Sequence, residues 1–363
     1  MTAPVNSATR KPLSSPSQKA ARWNRLAHRW VAIVLALPIL FIMLTGIFLQ
    51  VRKPVDWIQP PTATGSQSYA PTASLEQVLE QVKTVPAMGV TGWEDIKLLD
   101  LRPKKGIIKV RNYSELETQV DASTAEVIQT GQRRNDIVGR MHDFSAWGAR
   151  LWLGLPIMLG FTLLFLSGVY LNIKMAPAQV RSLARLFNRS PKQAKPSSLP
   201  TSKPLRLRLK SWLLGYHYWL GWLVLIPWGV VIASGLLLQV RYEVPWVMPL
   251  HQQGQGTVPT VEFNQVLGIA QQQTDLSVGE WKDVWRVYVY PDKGLTTVRA
   301  KNRQELQLDA QTGQVLQTSV RRTDWLEDIH EGKWRGLNLW LFLPVHILSV
   351  VLWVTGAVVA YSR

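Results

Sequence analysis

Hydrophobic residues along the chain are concentrated in four long runs that contain no charged residue. A transmembrane helix needs about 20 predominantly apolar residues, and each run is close to or above that length. The pattern predicts an α-helical integral membrane protein with four membrane-spanning helices, and it argues against a protein built only of soluble domains. The runs cover residues 31–49, 151–173, 212–240 and 337–361.

Positive charge collects beside these runs. The formal net charge is +17, and two basic segments without acids, 1–29 and 174–210, hold all of the excess together with Arg363. Basic residues mark the cytoplasmic side of a membrane protein. Both termini and the middle loop are therefore expected on the cytoplasmic side of a bacterial inner membrane. A nucleic-acid-binding protein would carry its basic residues on a folded domain. The lipid bilayer is therefore the expected partner, and no nucleic acid is expected.

Two longer segments between the runs are expected to form small periplasmic domains of the α+β class. Helical spacing is found at 74–85 and 262–273, and strand patterns follow at 96–101, 107–111 and 117–120. The predicted segments are a basic cytoplasmic N-terminus (1–29), a span (30–51), a periplasmic domain (52–147), a span (148–173), a basic cytoplasmic loop (174–211), a span (212–240), a second periplasmic domain (241–335) and a last span (336–361).

The two halves of the chain repeat each other. Residues 28–57 align with 217–246 at a shift of 189, and at a shift of 188 WEDIKLLDLRPKKGIIKVR matches WKDVWRVYVYPDKGLTTVR. His142 then matches His330. We interpret the chain as a tandem duplication in which each half is a helix, an outer domain and a helix. Parallel repeats of this kind are related by a pseudo-two-fold axis along the membrane normal.

These segments resemble the PepSY-associated transmembrane helix family. The likeness rests on the span opening LAHRW, the segments GWEDIKLLDLRPKKGIIKVR and VDASTAEVIQTGQRR, the acid-flanked histidine and the closing LWVTG. The second half also has IHEG, from His330 to Gly332, which is similar to a His-Gly motif that such proteins carry before their last span. The resemblance covers nearly the whole chain and implies that the outer domains are PepSY-like. Some members are haem-containing reductases of ferric siderophores, and others have no assigned activity.

Four of the six histidines form two symmetric pairs. His28 and His217 lie at the inner ends of the first and third spans. Low-spin haem takes two neutral imidazoles, or His and Met, as axial ligands, so this pair is a candidate site for one haem b on the pseudo-axis. The small residues Ala32 and Gly221, one turn further on, would let a flat macrocycle approach the helices. An ordinary pair of interfacial histidines is the alternative. The candidate propionate partners are Arg25 and Arg29.

His142 and His330 form the second pair, just before the second and fourth spans on the outer side. Each is followed by an acid, Asp143 or Glu331, which is expected to fix the tautomer of a ligating histidine. This pair is a candidate for a second haem b, roughly 30 Å from the first, or else for solvated or substrate-facing histidines. The candidate propionate partners are Arg52 and Arg241, or Arg133–Arg134 and Arg321–Arg322.

His346 lies inside the last span, and Met158 is its equivalent in the first half. An ionisable residue within a span indicates function. A His/Met-ligated haem at mid-membrane is therefore an alternative, as is ligation by His346 together with His330 or His142. A third interpretation is a histidine bonded within the helix bundle and a methionine that fills its core. His346 is outside the pattern of the resembled family.

Several kinds of chemistry are excluded. The chain has no cysteine, which removes disulfides, Cys-ligated zinc, iron–sulfur clusters and covalent c-type haem. It has no GxGxxG or GxxxxGK[ST] segment and no HExxH or GxSxG segment. No catalytic residue is assigned. If electrons pass through the protein, a cytoplasmic donor or a quinol has to supply them.

Three functions agree with these patterns. The first is a haem-containing electron-transfer protein that reduces a periplasmic ferric siderophore complex. The second is a non-enzymatic, membrane-anchored PepSY module that binds or regulates. The third is an accessory protein of metal or siderophore uptake, although the four spans contain no acidic residue of the kind usual in a cation path.

Overall fold

The computed structural model describes residues 16–187 and 205–361. Residues 1–15 of the predicted basic N-terminus and 188–204 of the predicted basic loop lie outside the described residues. The chain divides into two compact units, which we call the helical unit and the sheet unit. The helical unit lies within Met1–Leu40, Ile157–Gly229 and Ile347–Arg363, and the sheet unit comprises Phe41–Pro156 and Val230–His346.

The described residues form nine α-helices and eight β-strands. The helices are α1 (Pro16–Val34), α2 (Ala36–Gln50), α3 (Leu75–Lys83), α4 (Arg134–His142), α5 (Leu155–Phe187), α6 (Leu205–Gln239), α7 (Phe263–Gln271), α8 (Thr323–His330) and α9 (Leu343–Tyr361). The strands are β1 (Ile96–Arg102), β2 (Ile107–Asn112), β3 (Leu116–Asp121), β4 (Val127–Gln132), β5 (Val284–Tyr290), β6 (Leu295–Ala300), β7 (Gln304–Asp309) and β8 (Val315–Val320). Short π-helical segments, Arg150–Gly154 and Asn338–Phe342, precede α5 and α9.

Three helical stretches are long and apolar enough to cross a membrane: Arg150–Arg181, Arg208–Gln239 and Asn338–Tyr361. They contain most of the second, third and fourth predicted spans. The first predicted span is a pair of helices, α1 and α2, that passes the same test only together and is bent by 66°. The described chain thus has three spanning helices, or four if the bent pair is one span. This confirms the predicted multi-pass membrane protein in contact with lipid.

The bend at Leu35 lies within one helical turn of Pro38. A proline inside a helix has no N–H to donate and its ring clashes with the carbonyl four residues earlier, which here belongs to Val34, the last residue of α1. The Trp353 indole donates a hydrogen bond of 3.0 Å to the Ala36 carbonyl beside this break. Pro227, at the equivalent position in the second half, lies within the continuous helix α6.

The eight strands form one antiparallel sheet in the order β4-β3-β2-β1-β5-β6-β7-β8. The sequence predicted two small outer domains, and the structure joins their strands edge to edge. At this junction β1 pairs with β5, with Leu99 opposite Val289 and Asp100 opposite Tyr288. The inner edges of the two strand sets are therefore covered, which removes unpaired backbone groups that would otherwise template aggregation.

One face of the sheet carries the apolar core, against which α3 and α7 pack. On α3 the buried residues are Leu75, Val78, Leu79 and Val82, which is the apolar face that the helical spacing predicts. The predicted helices and the strands β1 to β3 are confirmed with small changes of their ends. The strands β4 and β8 were not predicted, because none of their residues is fully buried. The helices α4 and α8 were not predicted either.

The opposite face of the sheet buries charged and polar residues. Asp100, at the junction of β1 and β5, has no solvent exposure and lies 2.8 Å from Arg102, 3.6 Å from Arg286 and 3.7 Å from Arg111. Burial acts to raise the pKa of the Asp100 carboxyl, but the three guanidinium groups outweigh it and hold that pKa at about 2. The carboxylate therefore ties the first half of the sheet to the second.

Protonation of Asp100 is expected to weaken the sheet unit. Because its pKa is lowered from 3.8 to about 2 on folding, its stabilisation is complete above pH 3.8 and is lost as the pH falls towards 2. The loss is about 2 kcal/mol. Thermal unfolding of the full chain in detergent, followed by tryptophan fluorescence from pH 6 to pH 2, measures it.

Asp100→Asn should lower the unfolding temperature at neutral pH and flatten this acid dependence. The exposed Glu126→Gln is the matched control and should keep the dependence of the unaltered chain. An equally steep acid dependence in Asp100→Asn would show that other carboxyl groups cause it.

Candidate histidine sites

In the helical unit, His28 on α1 contacts helix α5 at two consecutive residues. Its Nδ1 lies 2.7 Å from Ser167 Oγ, and its Cε1 lies 3.3 Å from the point that a Cβ on Gly168 would occupy. The Ser167 hydroxyl donates its own hydrogen to the Leu164 carbonyl at 2.8 Å, so towards the histidine it acts as an acceptor. In the neutral ring, Nδ1 of His28 therefore carries the proton, and Nε2 keeps its lone pair.

His217 on α6 has the matching arrangement against α9. Its Nδ1 lies 3.1 Å from both the Leu352 carbonyl and Thr355 Oγ1. A carbonyl only accepts, so this Nδ1 is also protonated, and in the neutral ring Nε2 is again unprotonated. The ring lies on Gly356, where a Cβ would be 2.9 Å from Cε1. His217 is close enough to His28 for the two imidazoles to interact electrostatically.

In the sheet unit, His142 at the end of α4 bonds to α2. Its Nδ1 is 2.9 Å from Thr45 Oγ1, whose hydroxyl donates to the carbonyls of Phe41 and Ile42. The hydroxyl is again an acceptor, which places the proton on Nδ1. The ring lies on Gly46, with Cε1 3.4 Å from the position of a Cβ.

His330 at the end of α8 completes the set. Its Nδ1 lies 3.0 Å from the Val231 carbonyl and 3.1 Å from Ser234 Oγ, so it too carries the Nδ1 proton. The rings of His142 and His330 have centroids 6.4 Å apart at an angle of 59°. Burial, and then the nearby His330, lower the pKa of His142 to about 4, and burial lowers that of His330. Both rings are therefore neutral, which is the metal-binding form.

His346 lies near this outer pair. It is on the first turn of α9 and interacts electrostatically with both His330 and His142. Met158 is buried on α5 in the helical unit, whereas His346 belongs to the sheet unit. The arrangement of His346 with His330 or His142 is thus within one unit, and ligation by His346 with Met158 stays a prediction.

The acids beside the outer histidines are bonded elsewhere. The Glu331 carboxylate accepts two hydrogen bonds of 2.8 Å from Arg52, and Asp143 lies 3.5 Å from Arg241. The hydroxyls of Thr45 and Ser234, rather than these carboxylates, therefore orient the imidazoles. The expectation that the acids fix the tautomer was wrong, because each acid is neutralised by an arginine of the opposite half.

The four predicted propionate partners are in different situations. Arg52 and Arg241 have their guanidinium groups on carboxylates. Arg25 is exposed on α1, and Arg29, next to His28, is partly buried. Within the described part of the chain, the buried Nε atom of Arg29 has no hydrogen-bond partner. Arg29 therefore has a donor to give to an anionic group near the inner pair. Of the alternative arginines, Arg133 and Arg321 are buried in ion pairs with Glu117 and Glu305, and Arg134 and Arg322 stack on Trp57 and Trp246.

Two glutamines brace the outer histidine segments, and sequence reasoning did not assign them a role. The side-chain nitrogen of Gln50 donates to the carbonyls of Glu331 at 2.9 Å and Asn338 at 2.6 Å. Gln239 donates in the same way to the carbonyls of Asp143 and Arg150. Each glutamine thus holds the histidine segment and π-helical segment of the other half. Their recurrence in both halves was the available signal.

A phenylalanine and a glycine exchange places between the halves. Phe144 follows the first outer histidine segment with a left-handed φ of 62°, and a Cβ on Gly154 would lie 3.3 Å from its ring. In the second half the positions hold Gly332, with φ 64°, and Phe342, whose ring would lie 2.2 Å from a Cβ on that glycine. One aromatic ring fills the space in each half, from opposite sides.

These sites offer pairs of neutral imidazoles with unprotonated Nε2 atoms. Among the described residues, no group of three or more His, Cys, Asp or Glu residues would hold a metal ion alone. Two imidazoles suit a haem iron, whose equatorial ligands come from the macrocycle. The rings of the outer pair lie close together, with centroids 6.4 Å apart. The residues present therefore fit a haem.

The comparison with known protein families finds a match. A family model described as PepSY-associated TM region matches residues 25–363. A search of curated proteins finds no match to the chain.

The exchanged Phe and Gly should be energetically coupled. Phe144→Gly leaves a cavity and should cost about 3–5 kcal/mol, less roughly 1 kcal/mol regained from the left-handed backbone. Gly154→Phe should also destabilise, since its side chain would meet both the Phe144 ring and the Gln239 amide. The combined variant F144G/G154F reproduces the second half and should unfold at a higher temperature than the less stable single variant. Thermal unfolding of the full chain in detergent measures all three.

The control combines each single change with a distant one, Val315→Ala on β8. The losses of unfolding free energy in Phe144→Gly or Gly154→Phe and in Val315→Ala should then add. Simple additivity in F144G/G154F as well would mean that the two positions do not share one space.

Proposed function

Because the chain belongs to the PepSY-associated transmembrane family, we propose that it is a haem b-containing electron-transfer protein of the bacterial inner membrane. In this proposal electrons from a cytoplasmic donor or quinol cross the bilayer and reduce a periplasmic ferric complex, such as a ferric siderophore, to the ferrous state. The observation that supports this most is the common state of four histidines. Each donates Nδ1–H to a hydroxyl or carbonyl on an adjacent helix and keeps an Nε2 lone pair.

The histidine pairs have separate roles in this proposal. His28 and His217 would hold an inner haem, with the unpartnered Arg29 Nε next to a propionate. His142 and His330, both in the sheet unit, would hold an outer haem. Haem iron, when bound, would supply one-electron chemistry, and these histidines would be the protein's ligands to it. The glycines under the rings, Gly46 among them, keep the imidazole planes where larger side chains would displace them.

The orientation in the membrane follows from charge. The basic segments 1–29 and 174–210 would face the cytoplasm, together with both termini. The sheet unit then contains the two PepSY-like segments and faces the periplasm. The matched contacts of the two halves, such as Thr45 with His142 and Ser234 with His330, support the parallel duplication that this topology requires.

Loss of a ligand should remove haem from one site only. The full chain, purified in detergent from haem-replete cells, should give a b-type spectrum with two haems per chain in a pyridine haemochrome assay. His28→Ala or His217→Ala should halve the haem content, as should His142→Ala or His330→Ala. His251→Ala is the matched control, because His251 has no equivalent in the first half and should leave the content unchanged. A colourless protein would contradict the proposal and favour a binding module.

The hydroxyl partners should tune the outer site. Thr45→Val removes the oxygen that accepts from His142 Nδ1 while keeping the side-chain shape. Loss of such a second partner typically weakens metal binding about 10- to 100-fold, and a less electron-rich imidazole should raise the reduction potential. Haem retention during dialysis and a spectroelectrochemical titration measure both effects.

Thr62→Val, which alters a threonine on the polar face of the sheet, is the control and should change neither quantity. Unaltered haem retention and potential in Thr45→Val would show that this hydroxyl does not support a ligand.

A further inference from the structure

A cleft of about 220 Å³ opens on the second half of the sheet unit. Two partly exposed tryptophans line it, Trp285 on β5 and Trp325 on α8, with exposures of 40% and 43%. The buried guanidinium groups of Arg299 and Arg321 also line it, and both are paired with carboxylates. The cleft thus has aromatic walls, and the arginines that also line it are neutralised by carboxylates.

The same place in the first half is sealed by ion pairs. The Glu115 side chain, 4% exposed, pairs with Lys97 at 2.6 Å and with Arg140. Glu115 ends the turn between β2 and β3 with φ 61°, a left-handed conformation that favours glycine. A charged side chain thus occupies a backbone position that favours glycine, and there it forms two ion pairs.

The second half keeps the turn and changes its chemistry. At a shift of 188, the positions of Lys97, Glu115 and Arg140 hold Trp285, Arg303 and Asp328. Arg303 keeps the left-handed backbone, with φ 72°. Within the described residues, Arg303 makes no ion pair, although its counterpart makes two. The central charge of the cluster has changed sign. Asp328, at the position of Arg140, also lines the cleft, but among the described residues it forms no ion pair with Arg303.

Lys301, two residues before Arg303, adds a second positive charge. It lines the cleft and is exposed, and its ammonium group lies 6.0 Å from the centre of the Tyr69 ring. In the described part of the chain it forms no ion pair either. Two cations without an ion pair among the described residues, Lys301 and Arg303, therefore line the cleft beside two aromatic side chains. The lining also contains Asp328 and Asp324, and Asp324 is paired with the buried arginines.

We infer that this cleft binds a small aromatic anion. The ring of the ligand packs against Trp285 and Trp325, and its acidic group accepts hydrogen bonds from Arg303 and Lys301. In the first half the Glu115 side chain provides a carboxylate at this place. In the second half the acidic group of the ligand takes that role. The volume is below the roughly 300–1,000 Å³ of sites for drug-sized ligands, which limits the occupant to about one ring and its substituents.

The cleft is linked to the outer histidines through α8. Trp325 and Asp328 line the cleft, and His330 ends the same helix. Under the proposed function, a ligand here would lie where an acceptor, or an aromatic arm of one, would receive electrons. That link rests on the proposed function, whereas binding itself does not need haem and is tested without it.

Binding of three probes to the full chain in detergent tests this site. Salicylate carries a ring and a carboxylate, benzamide carries the ring without the charge, and acetate carries the charge without the ring. Saturation-transfer NMR or equilibrium dialysis should show saturable salicylate binding, with benzamide and acetate roughly tenfold weaker or worse, because each lacks one of the two contacts. Equal binding of all three probes, or no saturable salicylate binding at millimolar concentrations, would overturn the inference.

Variants localise the site. Arg303→Gln should weaken salicylate binding about tenfold, and Trp325→Ile, which installs the side chain of Ile137, should weaken it as well. The triple variant W285K/R303E/D328R introduces the sealing set of the first half and should abolish binding. Glu115→Gln, the matched control, should lower the unfolding temperature and leave salicylate binding unchanged.

The single variants keep the test decisive if the triple variant does not fold. Salicylate affinity unchanged in both Arg303→Gln and Trp325→Ile would show that the anion binds elsewhere. Haem content has no part in these outcomes, so failure here is distinct from failure of the proposed function.

Discussion

Each candidate histidine site depends on a hydroxyl or carbonyl oxygen that can only accept a hydrogen bond from the imidazole. A serine or threonine within a helix usually gives its hydrogen to the carbonyl three or four residues earlier, and Ser167, Thr45, Ser234 and Thr355 all do so. The oxygen that remains can serve an imidazole only as an acceptor. This local helix property decides which nitrogen of the histidine keeps its lone pair, and so decides what the histidine can bind.

The sheet unit depends on buried charge in a comparable way. Lys109 and Glu117 face each other at 2.7 Å with no exposure of either side chain, and Glu117 also receives Arg133. Buried ion pairs of this kind often add little net stability, yet removal of one partner is costly. Arg111 pairs with Glu117 as well, at 3.3 Å. In the second half Thr297 stands in place of Lys109, and Glu305 keeps the two equivalent arginines, Arg299 and Arg321. The two halves therefore share the arginine pairs and differ in the lysine.

Much of the architecture was open to prediction from sequence, because it follows from regular patterns. Apolar runs indicated the spanning helices, and the spacing of Leu75, Val78, Leu79 and Val82 indicated α3. The edge-to-edge pairing of β1 with β5 was not predictable, since no periodicity reports which strand edges meet. The break at Leu35 was not predictable either. Pro38 and Pro227 are equivalent in sequence, but only the helix that contains Pro38 is interrupted.

The site was predictable in its histidines and not in their surroundings. Position in the repeat singled out His28, His142, His217 and His330. The partners of these rings come from other helices, and contacts over about 100 to 140 residues of chain cannot be obtained from spacing alone. The roles of Arg52 and Arg241 also depended on which acids face them across the fold. Only the structure shows that these guanidinium groups lie on Glu331 and Asp143.

The exchanged contacts of Gln50 and Gln239 have a consequence for how the halves can differ. Gln50 on α2 and Gln239 on α6 each bond to the histidine segment of the opposite half. A chain of half the length would therefore have to pair with a copy of itself to make the same bonds. In such a dimer every substitution would appear twice. A single chain that contains both halves is free of this symmetry, and it can keep one copy sealed by Glu115 while the other copy opens a cleft beside Arg303.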